Sequence, residues 1–278
     1  MVTPVKATSQ LRTLGRALVI TVGVSKGGTG KSWIATNLAA TLARKGHHTV
    51  LVDSNTAANS HSDWAFMAHR GQNPGFHCYF DPEPFSSGLI DELKSNFDVI
   101  VIDTPQYRHV HDISRAWEES ELLVAPVTED APDFRFFLSE LNGMDQLRGG
   151  KPIAVIPTRC TMLKRQTITR AFNSFLDQLE EAGTHVPRFE KGNYHLDYNQ
   201  RVKSLPVRNI YYRPTPEDHC KPVEAWTKKW EVHVDWLLEV LRAEEITLPA
   251  PKGEVDALDQ FRETVTQEHL KNYGLLVA

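Results

Sequence analysis

Eight consecutive residues, Ser25-Lys26-Gly27-Gly28-Thr29-Gly30-Lys31-Ser32, have the types and spacing to grip a polyphosphate. Gly27, Gly28 and Gly30 let the backbone curl so that several N–H groups point at one anion. Lys31 adds a mobile positive charge for the outer phosphates. Ser32 offers a hydroxyl to Mg²⁺, which prefers hard oxygen ligands. The segment follows the phosphate-loop template Gly-x-x-x-x-Gly-Lys-Ser/Thr except at its first position, where Ser25 replaces glycine. Two acids, Asp53 and Asp103, end the apolar runs His48–Asp53 and Phe97–Asp103. An acid at the carboxyl edge of a strand lies where doubly wound sheets bind ligands.

These groups need elements to position them. The run Ala17–Val24 reads as a buried strand, and Ile34, Leu38 and Leu42 give the following helix one apolar face, with Gly46 at its C-terminus. Strand, glycine-rich turn and helix N-terminus in succession are the context the motif requires. Further strands are expected at Phe76–Phe80, Glu121–Val127 and Pro152–Pro157. Helical stretches are expected at Ala57–Arg70, Gly88–Asn96, Ala131–Leu147, from Lys164–Arg165 to about Ala182, and at Lys221–Arg242. Strands that alternate with helices predict an α/β fold, a doubly wound and mainly parallel sheet flanked by helices. The chain divides into a polar leader (1–16), a nucleotide-binding body (17–243) and an acidic extension (244–278), the last with a short amphipathic helix at Glu254–Leu270.

With 278 residues and 41% apolar content, the chain can bury a sizeable core in one domain with appendages. A net charge of −4 argues against a wholly basic nucleic-acid protein but permits a local basic patch. Cys78, Cys160 and Cys220 are widely spaced and form no metal or disulfide pattern, which fits a reducing cytoplasm. No apolar run is long enough for a membrane span, and residues 1–16 lack the apolar centre of a secretory signal.

Lys26 stands where the general template asks for no lysine. The pattern Lys-Gly-Gly-x-Gly-Lys-Ser/Thr resembles the deviant Walker A motif of the ParA/MinD family of P-loop ATPases. The resemblance is good over residues 17–160 and looser to about 243. It implies ATP and Mg²⁺ as ligands, with nucleotide contacts along Lys26, Gly27, Gly28, Thr29, Gly30, Lys31, Ser32 and Trp33. It also implies a nucleotide-dependent homodimer in which Lys26 reaches the nucleotide held by the partner subunit. Asp53 matches the first acid of the family's Asp-x-Asp-Pro-Gln segment, whereas Asn55 replaces the second, the one associated with the attacking water. An amide can orient water but cannot take its proton, so slow hydrolysis is expected. Asp103-Thr104-Pro105 resembles the Walker B strand end, which leaves Ser32, Asp53 and Asp103 as the metal candidates. The resemblance implies Lys26, Lys31, Asp53 and Asn55 as the catalytic set. Thr158-Arg159 falls where the family reads adenine, and Pro214 falls where related ATPases have a proline-containing loop that covers the base.

The later chain is locally basic. Arg159, Lys164, Arg165 and Arg170 occur without an intervening acid, and Arg201, Lys203 and Arg208 are interleaved with tyrosines. That composition suits sequence-independent contact with a nucleic-acid backbone. The expected function is a ParA-like ATPase that partitions or positions DNA or another cargo, stimulated by a cognate adaptor protein. The alternatives are a weakly hydrolysing nucleotide-dependent scaffold and a P-loop metabolic enzyme of the same class. The acidic final helix argues against docking on anionic lipid, so no membrane partner is expected.

Overall fold

A computed structural model describes residues 12–13, 17–54, 64, 75–81, 89–106, 114–128, 137, 140, 150–160, 165–181, 183, 186–188, 196–197, 221–244 and 246–248. The helices expected at 57–70, 131–147 and 254–270 lie wholly or largely outside these residues. So do Asn55, Lys164, Arg201, Lys203, Arg208 and Pro214. In chain order the strands are β1 (Arg12–Thr13), β2 (Leu18–Val22), β3 (Thr49–Asp53), β4 (His77–Phe80), β5 (Val99–Asp103), β6 (Leu122–Thr128), β7 (Ile153–Cys160), β8 (Leu196–Asp197) and β9 (Ile246–Thr247). The helices are α1 (Lys31–Arg44), α2 (Leu89–Asn96), α3 (Ser114–Glu119), α4 (Arg165–Glu181) and α5 (Lys221–Ala243).

Seven strands form one sheet in the order β4-β3-β5-β2-β6-β7-β8, and every pairing in it is parallel. Strands of a parallel sheet are covered on both faces, so they read as continuous apolar runs. Alternate residues nevertheless go to opposite sides. Leu18, Ile20 and Val22 join Leu51, Val99, Val101 and Val124 against α1 and α5. Val19, Val50, Val52, Ile100 and Ile102 join Leu123, Ala125 and Val155 against α2, α3 and α4. These two cores make the chain doubly wound, as the alternation of elements predicts. Beside the main sheet, β1 and β9 form a separate parallel two-stranded ladder, which pairs Arg12 with Ile246 and Thr13 with Thr247. Ile246 and Leu248 pack on the core that holds α1 and α5.

α1 stops where expected. Gly46 takes a left-handed φ of 87°, its N–H donates to Ala43 O at 2.8 Å, and the His47 N–H donates to Leu42 O at 3.2 Å. Two of the differences in strand bounds bear on the site. β2 ends at Val22, which frees Gly23 and Val24 for the loop. β7 runs past Pro157 to Cys160 rather than stopping there. Pro157 is level with Val127 of β6, and among the described residues the pairing with β8 begins at Thr158.

His47 follows the α1 turn and is buried. Burial lowers its pKa below the ordinary value, outweighing Asp98, which raises it, while Lys45 lowers it further. The folded state therefore binds this proton less readily than the unfolded chain does. Its contribution to stability is complete above the unfolded pKa and is lost as pH falls through the folded pKa. Denaturant unfolding followed from pH 7.5 to pH 5 is expected to show declining stability, with a shallower decline in His47→Gln. Identical slopes for the two proteins would refute the assignment.

Candidate functional site

β2 delivers the chain to the centre of the sheet's carboxyl edge, and the phosphate loop begins there. The Gly23 N–H donates to Val124 O of β6 at 3.0 Å. Gly28 and Gly30 have φ of 74° and 97°, a left-handed conformation that glycine adopts without strain. Gly30 is the N-cap of α1. No side chain caps the helix, and its first turn contains no acid. The first intrahelical bond runs from the Ile34 N–H to Gly30 O at 2.9 Å. The N–H groups ahead of it have no intrahelical acceptor, and they lie at the positive end of the helix dipole. A helix start left without a capping side chain is suited to an anion.

Lys31 is buried, and its Nζ donates to the Lys26 carbonyl across the loop at 3.0 Å. Burial lowers its pKa, while Asp103 and Glu140 pull it back up, so both carboxylates act on the ammonium. Lys26 has an exposed side chain on the same loop. Ser32 is half-buried, and its carbonyl accepts from Thr36 Oγ1 at 2.7 Å. The Trp33 ring meets Trp230 edge-on at 5.6 Å, so this side chain packs α1 against α5. Thr158 is also buried. Its hydroxyl donates to Thr29 O at 2.7 Å, with Val127 O at 3.2 Å. Because β7 continues through this residue, Thr158 holds the phosphate loop from behind. Arg159 follows it on the same strand.

Asp53 and Asp103 are register partners at the ends of adjacent strands, and Asp103 is also level with Val22 of β2. Both carboxylates are buried. Hydrogen bonds just past the strand ends tie β2, β3, β4 and β5 together. The Ser54 N–H donates to Asp103 O at 3.1 Å, and the Asp81 N–H donates to Asp53 O at 2.9 Å. Thr104 directs its N–H and its hydroxyl at Val22 O, at 3.3 and 2.9 Å. The neighbouring Cys78 thiol senses these acids. Its pKa is pushed well up, first by burial and then by Asp53 and Asp103. Two buried carboxylates and a serine hydroxyl supply hard oxygen donors, and a divalent cation would offset the local negative field.

One contributing side chain is not apparent from sequence. Glu140 is buried, and its carboxylate clasps Ser25: Oε1 accepts the Ser25 N–H at 2.8 Å, and Oε2 accepts the Ser25 hydroxyl at 3.0 Å. These residues are 115 positions apart, and the only trace in the sequence is the serine where the template has glycine. Hydrogen bonds to a charged acceptor are worth about 1.5–3 kcal/mol each. Glu140→Ala is therefore expected to cost about 3 kcal/mol in denaturant unfolding without nucleotide, and Glu140→Gln less than half of that, because the amide retains one acceptor. A loss within about 0.5 kcal/mol for the alanine variant, the range of ordinary surface changes, would refute the clasp.

Among the basic candidates, Arg170 is exposed on α4 and Arg165 is its first residue. Arg188, also in the basic region, is matched locally. Its guanidinium donates to Asp177 at 2.6 Å and to Glu180 at 2.9 Å, and these bonds raise its pKa. Sequence separation conceals this pairing, because both acids belong to the outer face of α4.

Among solved structures, a Borrelia burgdorferi B31 protein assigned to plasmid partition, bound to AMPPNP, matches with a TM-score of 0.53 and 17% identity, over 80% of this chain and 99% of that one. A McdA variant from Cyanothece in complex with ATP matches with a TM-score of 0.56 and 14% identity, over 83% and 97% of the two chains. The pNOB8 ParA bound to nonspecific DNA matches with a TM-score of 0.54 and 18% identity, over 82% and 99%. At these identities the likeness establishes the fold. No curated protein matches the sequence. Residues 20–224 match the family described as the CobQ/CobB/MinD/ParA nucleotide-binding domain. That span runs from β2 into α5 and takes in the phosphate loop, both strand-end acids and Thr158, so the chain belongs to the CobQ/CobB/MinD/ParA nucleotide-binding domain family.

Proposed function

We propose that this chain is a ParA-like ATPase that binds ATP with Mg²⁺, dimerises around the nucleotide, and partitions or positions DNA or another cargo. The observation that carries the reading is the convergence, at one sheet edge, of an uncapped helix start, the buried Lys31 and the level carboxylates of Asp53 and Asp103. Polyphosphate would lie on the loop and the α1 N–H groups. Lys31 would leave the Lys26 carbonyl for phosphate oxygens. Ser32, Asp53 and Asp103 would hold Mg²⁺, which neutralises charge on the outer phosphates. Lys26 is exposed, which suits a contact across a two-fold interface.

Non-specific DNA is the proposed surface on which the dimer acts, through Arg159, Arg165, Arg170 and the basic residues beyond them. The exposure of Arg170 and the DNA-bound pNOB8 ParA of the same fold support this. A cognate adaptor protein is the proposed stimulator of hydrolysis. The second reading is a weakly hydrolysing nucleotide-dependent scaffold, favoured by Asn55 in place of a carboxylate. Retention of the full chain on random-sequence DNA, measured with ATP, with ADP and without nucleotide, tests the proposal. ATP-selective retention that weakens steeply with salt is expected. Equal retention in all three conditions, or none, removes the DNA-carrier function. Asn55→Asp separates the second reading: an unchanged turnover rate means the amide does not limit hydrolysis.

A further inference from the structure

Gly27 does not have the left-handed φ of Gly28 and Gly30, so backbone conformation does not explain why it is glycine. Space explains it. A methyl group placed on Gly27 would lie 2.5 Å from Gln106 Oε1, 2.9 Å from Cδ and 3.3 Å from Nε2. The Gln106 amide therefore rests directly against the Cα of the phosphate loop. Gln106 is the third residue after Asp103 and is exposed at the sheet edge. Two positions earlier, Thr104 is pinned to Val22 O by both its N–H and its hydroxyl, which fixes the start of this segment beside the loop.

We propose that Gln106 positions the water that attacks the γ-phosphate, the task for which Asn55 supplies no carboxylate. This rests on the ATPase reading above. A glutamine amide holds water from two sides, accepting a hydrogen bond at Oε1 and donating one from Nε2. It cannot take the proton. The water oxygen forms its bond to the γ-phosphorus as the bond to the β–γ bridging oxygen breaks, and ADP leaves with that electron pair. The proton passes to a phosphate oxygen, and the products are ADP and inorganic phosphate. Orientation without a base gives a low intrinsic rate. Gly27 is the other half of this device, since any side chain there pushes the amide off the loop.

The test compares the wild type with Gln106→Ala and Gln106→Glu as full chains with Mg²⁺. The measurements are AMPPNP affinity, affinity for ADP with aluminium fluoride as a mimic of the transferring phosphoryl group, and single-turnover ATP hydrolysis. Gln106→Ala is expected to lose on the order of ten- to a hundredfold in rate, with a parallel loss of ADP–aluminium fluoride affinity. AMPPNP affinity should stay within about twofold, because that ligand needs no ordered water. Gln106→Glu should retain or raise the rate. Equal hydrolysis by wild type and Gln106→Ala overturns the proposal, as does a loss of AMPPNP affinity matching the loss of rate. Wild type that binds AMPPNP without hydrolysing ATP removes the water-positioning role and leaves nucleotide binding intact. Failure of wild type to bind AMPPNP overturns the ATPase reading itself.

Discussion

Lys31→Ala is expected to weaken ATP binding by about a hundredfold or more while leaving the fold intact. A lysine that spans two phosphates forms at least two charge-assisted hydrogen bonds, each worth about 1.5–3 kcal/mol, and about 1.4 kcal/mol corresponds to a factor of ten in affinity. The fold should survive because burial already disfavours this ammonium and its donor bond goes to a loop carbonyl. The substitution removes a desolvated charge but also the cation facing Asp103 and Glu140, so the two effects oppose and the nucleotide-free unfolding midpoint should move little. The pH dependence gives a second check. Burial lowers the lysine's pKa, and an arriving polyphosphate would raise it, so the charged form is the one that binds. Wild-type affinity should fall on the alkaline side, at a pH below the ordinary lysine value, and Lys31→Ala should lack that fall. Calorimetric titration with ATP and Mg²⁺ measures both. An affinity for Lys31→Ala within about threefold of wild type, less than one charged hydrogen bond is worth, would remove Lys31 from the phosphate site.

Lys26→Ala should have its effect on assembly. The side chain is exposed in the single subunit, so its loss costs the monomer little. In a two-fold dimer each substitution acts twice, because the interface is self-complementary. If each lysine donates one charged hydrogen bond to the opposite nucleotide, the dimer loses about 3–6 kcal/mol, on the order of a hundred- to ten-thousandfold in dimer affinity. Sedimentation with ATP, with ADP and without nucleotide should show an ATP-specific dimer for wild type and monomers throughout for Lys26→Ala. The variant's nucleotide affinity as a monomer should remain. A variant that dimerises as well as wild type would detach Lys26 from the interface and leave a phosphate-binding domain without a demonstrated switch.

The two variants divide the loop by burial. Lys31 is turned into the loop under the influence of Asp103 and Glu140, and Lys26 is turned outward. On the proposed dimer, two lysines five positions apart would serve different subunits, so changing one is expected to alter affinity and changing the other stoichiometry.

Local chemistry made the centre of the molecule legible from sequence. The phosphate loop is contiguous, and its glycines, lysine and serine act through their own backbone and immediate neighbours, so spacing alone specifies them. The strands bearing Asp53 and Asp103 were legible because strands buried on both faces must be apolar throughout, and an acid at the end of such a run marks its edge. Tertiary structure decided what depends on distance in the chain. The clasp of Glu140 on Ser25, the tether from Thr158 to Thr29 and the approach of Gln106 to Gly27 each join separate elements. No periodicity encodes a partner that lies many residues away. Thr158 illustrates the difference: the sequence placed it just beyond the end of its strand, whereas β7 runs on through it and its hydroxyl reaches Thr29 O of the loop. Which groups a side chain meets depends on where its strand stops, and pairing with β6 carries β7 through this residue.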